Sequence, residues 1–234
     1  MSASTVKNQW LSSLQSQIAA ALANSALVRD IDTAHISTGK TICQELWPFI
    51  RELPENISQV RSRLPADLEP ARKFLGQLAD DERHYQGLYL KQCQLAGLKA
   101  EELLETTIIP EHSRPLVEAM RRYCSDGTVA QGVEAIVTAE LAAYSFARVV
   151  LASFESYFAE NSATYGAENI EEGLRWLRFH AKPNIRHALW MKKMLDAFDQ
   201  ENPADQSKNL PLAVTHVLDA LFVLWRTSGD LVQK

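Results

Sequence analysis

Apolar residues recur at steps of three and four along almost the whole chain, and neither strand-like alternation nor a glycine-rich phosphate loop interrupts them. That period confines the chain to α-helices, each burying one stripe against its neighbours. Trp10, Leu14, Ile18, Leu22 and Ala26 mark a first helix over 6–28. A second is expected over 36–53, kinked or divided at Pro48 and closed by Pro54, because each proline removes a backbone donor. The third runs over 67–98 to the Gly97 stop signal, followed by short helices over 99–105 and 111–124. Thr128 caps a long helix reaching Phe158, and Asn169 caps a helix over 170–179. Helices over 183–198 and 212–224, either side of a polar linker at 202–208, complete the set. The expectation is one all-α domain over 1–234, a bundle of about seven or eight helices able to hold a cofactor or metal inside.

Charge and apolar run length narrow the function classes. With 24 Lys and Arg against 29 Asp and Glu, the net charge of -5 offers no positive field to nucleic acid, and no nucleic-acid partner is expected. The longest apolar runs, such as 18–23 and 149–152, fall far short of the roughly 20 residues of a membrane span, and residues 1–7 lack a secretory pattern. A cytoplasmic protein without a membrane-spanning helix is expected. Cys43, Cys93 and Cys124 are odd in number and unevenly spaced, which suits reduced thiols.

The informative positions are those where an apolar stripe carries a group that is costly to bury. Phe74, Leu78, Asp81, Tyr85 and Leu88 share one face of the third helix, with Asp81 where a leucine would fit. His84 follows at i+3, a spacing from which a carboxylate and an imidazole reach one ion, and Glu82 is an adjacent, slightly rotated alternative. Glu140 interrupts the stripe Val133, Val137, Tyr144, Ala147 and Leu151. His180, Asn184, His187, Met191, Met194 and Phe198 follow the same steps late in the chain, with Pro183 requiring His180 to sit at or just before a helix start.

Taken singly, each position has an ordinary structural reading. Glu140 pairs with an arginine such as Arg148 or lies at a wet seam; His180 meets a helix dipole; His187 is a satisfied core histidine; Met191 and Met194 fill core. Taken together, so many inward ionisable groups would each cost several kcal/mol unpaired, and divalent iron or manganese would offset that cost.

The segment His180-Ala-Lys-Pro-Asn184-Ile-Arg-His187-Ala resembles the H-x3-D-x2-H-A motif of the heme-oxygenase-like di-iron oxidases. That group is similar in fold to the TenA-like thiaminase II and pyrroloquinoline-quinone synthase families. With "RSRLPADLEPARKFL" and "RRYCSDGTVAQGVEAIVTAE", the similarity to a chlamydial death-domain-associating member runs over about 61–197. The resemblance implies a heme-oxygenase-like bundle, Fe2+ or manganese as cofactor, O2 as co-substrate and a small organic substrate. It assigns the metal ligands to Asp81 or Glu82 with His84, then Glu140, then His180 and His187, with Asp81 preferred on spacing. Tyr144 and Tyr85 become pocket-lining catalytic candidates.

Two departures bear on the activity. Asn184 puts a neutral amide where the group has a carboxylate, which weakens a second metal site. The tyrosine consumed by the chlamydial member has no counterpart in "ANSALVRDID", so that activity is not carried over. The thiaminase II branch needs a nucleophilic cysteine on the helix of Glu140, and no cysteine follows Cys124. The leading expectation is a non-heme iron-dependent oxidase or oxygenase. The alternatives are a metal-free binding or thiaminase-II-like hydrolytic protein of the same fold, and a protein-interaction module. Homodimerisation is expected through Trp10, Trp225 or Phe222 if those aromatics are exposed.

Overall fold

The computed structural model describes residues 9–25, 27–29, 36–182, 194 and 210–230, and among them every regular element is helical. Among the described residues eleven helical elements follow one another. They are α1 (Gln9–Ala23), α2 (Ile36–Arg63), α3 (Glu69–Leu95), α4 (Ala100–Glu105), α5 (Arg114–Arg121), a π-helical turn (Arg122–Asp126), α6 (Val129–Glu160), α7 (Ser162–Tyr165), α8 (Ala167–Gly173), α9 (Arg175–His180) and α10 (Leu212–Asp230). The all-α expectation holds, and the count of seven or eight is too low. The helix expected over 170–179 is two, α8 and α9, divided at Leu174; a Cβ on Gly173 would lie 2.6 Å from Leu95 Cδ2, so glycine sets the approach of α8 to α3. Asn169 is no cap; α8 begins after Gly166, whose φ of +78° suits glycine. The 202–208 linker lies outside the described residues.

The second helix also corrects the expectation. It runs through both Pro48 and Pro54 to Arg63. Pro54 has no N–H for the Ile50 carbonyl four residues back, and Gln86 of α3 supplies the missing donor, its Nε2 reaching Ile50 O at 3.2 Å and Arg51 O at 2.9 Å. A tertiary hydrogen bond thus replaces a helical one. Gly97, by contrast, ends α3 as expected, at φ +85°. Thr128 and Gln131 form a reciprocal capping box at the start of α6.

The α2–α3 hairpin packs along its whole length, and α6 runs through the bundle against α1, α2, α9 and α10. Where α6 crosses α2, a Cβ on Gly132 would lie 2.5 Å from Val60 Cγ2, so glycine sets that approach. Trp47, Tyr89 and Phe158 are fully buried between these layers, each contributing on the order of 2–3 kcal/mol of apolar burial. Contrary to the run-length expectation, Val129–Glu160 is long and apolar enough, by length and composition, to cross a bilayer. Half of its most apolar stretch is buried in the bundle. Trp225 is buried, and Trp10 and Phe222 are half-buried against the core.

Candidate functional site

Helix α3 lies between α2 on one side and α8 and α9 on the other, so its buried face is wide. Glu82, Tyr85, Tyr89 and Gln92 form one buried line of that face. Glu82 is 5% exposed, and its Oε1 has no hydrogen-bond partner. Burial, reinforced by the fields of Glu140 and then Asp81, pushes its carboxyl well above the usual carboxylate range. The three acids therefore share one electrostatic neighbourhood. Of the two alternatives on this helix, Glu82 is the buried one and Asp81 is half-buried. His84 is exposed, its ring edge-on to Tyr85 at 5.9 Å. The expected inward pair of Asp81 and His84 is thus corrected, because residue 84 falls on the solvent side of a face centred on 82, 85 and 89.

From α6 comes Glu140, half-buried. Arg148, its suggested structural partner, instead donates to Tyr144 Oη at 2.9 Å and lies 5.3 Å from that ring centroid. Tyr144 is half-buried, with its hydroxyl engaged in that bond.

From α9 comes His180, held by an aromatic wall. Its ring stacks on Trp176 at 4.1 Å and meets Tyr85 edge-on at 5.4 Å, while Tyr85 packs on Phe179 at 4.3 Å and Tyr89 on Trp176 at 5.1 Å. His180 Nδ1 lies 2.9 Å from the Trp176 carbonyl. A carbonyl only accepts, so Nδ1 carries the proton, and in the neutral form of the ring the lone pair is on Nε2, the tautomer metal ligation requires. Asn184, His187 and Met191 lie outside the described residues; Met194 is buried core. Among the described residues, no three His, Cys, Asp or Glu side chains converge closely enough to hold an ion by themselves.

Two further buried polar groups escaped the sequence reading. Glu45 of α2, 7% exposed, lies beside Ser113 at the start of α5, whose hydroxyl donates to the Pro110 carbonyl at 3.1 Å, and Glu45 Oε2 has no partner. Burial raises its carboxyl, opposed by the field of His112. Gln92 leaves Oε1 unpartnered, while its Nε2 lies 3.9 Å from Cys43 Sγ. Both sit in apolar stripes, Ile42-Glu45-Phe49 and Tyr85-Tyr89-Gln92, and could have been found by the criterion that singled out Glu140. All three thiols are buried. Burial pushes Cys93 well up and Cys124 to about 12, the latter against the field of Arg63, so neither is an activated nucleophile.

No protein-family model and no curated protein matches the sequence. Several solved structures share its architecture. A TenA homolog from Pseudomonas syringae pv. tomato superposes with a TM-score of 0.77 at 18% identity, covering 96% of this chain and 94% of that one. A domain of unknown function with a heme oxygenase-like fold from Shewanella denitrificans gives 0.65 at 16% identity, covering 96% and 90%. The chain has the heme-oxygenase-like, TenA-type fold.

Proposed function

From that fold as premise, we propose that the protein is a non-heme iron-dependent oxidase or oxygenase of a small organic molecule, working in the bundle interior between α3, α6 and α9. The observation that carries this reading is the partnerless Glu82 oxygen, buried beside two more carboxyls. Uncompensated, such a group costs several kcal/mol or keeps its proton; a divalent cation removes that penalty. Carboxylate and imidazole donors suit iron or manganese. Glu82, Glu140 and His180 are the described side chains that would hold the ion, and His187, with the weaker Asn184, would complete the set. Bound iron would supply the one-electron chemistry that O2 requires.

The chain's own residues do the rest. Glu82 gives up its proton on binding the cation. The Trp176 carbonyl fixes the His180 tautomer. Tyr85 and Trp176, both buried, would offer an apolar face to substrate beside His180, with the exposed Phe179 packed on Tyr85 at the solvent side. Anaerobic Fe(II) loading followed by metal quantification tests the reading. Retention of iron by the wild type and its loss in Glu82→Gln and His187→Ala is expected; equal iron in all three would end it.

One observation favours a second reading. With its carboxyl pushed upward by burial and then by the field of Glu140, Glu82 would serve as the general acid of a metal-free hydrolysis in this fold. That route would run without thiol attack, since the cysteines are buried. Turnover unimpaired by a strong chelator would favour it over the iron reading.

A further inference from the structure

A groove on a different set of elements, between α5 with the π-helical turn on one side and α10 on the other, encloses about 550 Å³. The turn is a deliberate departure from α-geometry. Gly127 N–H closes it on the Arg122 carbonyl at 2.9 Å, and Arg63 pins it by donating to the carbonyls of Cys124, at 2.5 Å, and of Gly127. A Cβ on Gly127 would lie 2.8 Å from the Tyr123 carbonyl oxygen, so the turn requires glycine there. Wide turns of this kind re-aim side chains and concentrate at functional sites. Here the re-aimed residue is Tyr123, 3% exposed, whose hydroxyl meets His216 Nδ1 of α10 to form the groove floor. Ala119 and Ala220, both small, open the space above it.

The charges at the mouth are exposed to solvent and form no ion pair with one another. Glu118 and Arg122 stand one helical turn apart on the same side, and Asp219 faces them from α10. None of the three has an ion-pair partner among the described residues; Arg122 instead lies 5.7 Å from the Tyr123 ring centroid. The acids and His216 do not converge tightly enough to hold a metal ion. An organic ligand with an ammonium and a carboxylate on one carbon complements all three charges. We propose that this groove binds a small zwitterion of amino-acid type, its ammonium between Glu118 and Asp219, its carboxylate on Arg122 and an apolar side chain over Ala119, Ala220 and the Tyr123–His216 floor.

Nitrogen-resolved NMR of the full, histidine-labelled chain tests this, with the His216 ring signals assigned by their loss in His216→Asn. L-Phenylalanine should shift them saturably. Removing one charge from the probe, as in 2-phenylethylamine or 3-phenylpropionate, or one from the groove, as in Glu118→Gln, Asp219→Asn or Arg122→Gln, should weaken binding about two- to fivefold, the scale of an exposed ion pair. The mutated side chains are exposed, so folding is retained. No saturable shift with L-phenylalanine, equal binding of the truncated probes, or unchanged binding by the three variants would each overturn the proposal.

Discussion

Glu82 and Glu45 are both carboxyls that burial raises above the ordinary value of 4.5. Below that pH the folded and unfolded chains alike hold these protons. As pH climbs past it the unfolded chain releases them while the folded chain keeps them, so the native state binds more protons and stability falls until the raised folded value is passed. In chelator, thermal unfolding followed by circular dichroism should therefore show a melting temperature that declines with rising pH from about 4.5 upward, the reference carboxylate value. Glu82→Gln and Glu45→Gln should each flatten the decline, and a slope identical to wild type in both would show that these groups do not carry it. The thiols give a second expectation at this scale. With Cys43, Cys93 and Cys124 all buried, a disulfide reagent such as DTNB should leave the native protein unlabelled and react with all three only after unfolding. Fast labelling of any one in the native state would contradict the burial.

Two elements carry the sharpest stability tests. Gly132→Ala puts a methyl 2.5 Å from Val60 at the α2–α6 crossing and should cost about 1–3 kcal/mol, seen as a lower denaturation midpoint. Thr128→Ala removes the hydrogen bond that its hydroxyl accepts from the Gln131 backbone N–H and should cost about 1 kcal/mol; because that bond does not use the Gln131 side chain, the cost should persist in a Gln131→Ala background. These elements also show what the residues disclosed. Thr128 as a cap and Gly97 as a stop were legible because their signals are local. The course of α2 was not, since what sustains it past Pro54 is an amide from Gln86, more than thirty residues later in sequence. The site fell between these cases. Periodicity marked α3 as the helix with inward polar groups, yet it draws one line, and α3 buries a broad face including Phe74, Leu75, Leu78, Ala79 and Glu82. Asp81 and Glu82 both lie near that line, and only the neighbours of the helix decide between them. His84 was misplaced for the same reason.

For the whole molecule, the iron reading makes folding and cation binding one linked equilibrium. An ion at a hundredfold excess over its dissociation constant adds about 2.7 kcal/mol, which for a chain of this length raises the melting temperature by roughly 5–10 °C. Anaerobic Fe(II) or Mn(II) should produce that rise in wild type and not in Glu82→Gln; an equal rise in both would place the ion elsewhere.

The stacking of Trp176 on His180 at 4.1 Å adds an optical consequence. Under the iron reading this indole, in contact with a ligating imidazole, would sit within quenching range of a paramagnetic ion, so the protein would carry its own fluorophore for occupancy. Its emission should dim as the interior fills and brighten as the ion is stripped, without any dye or label.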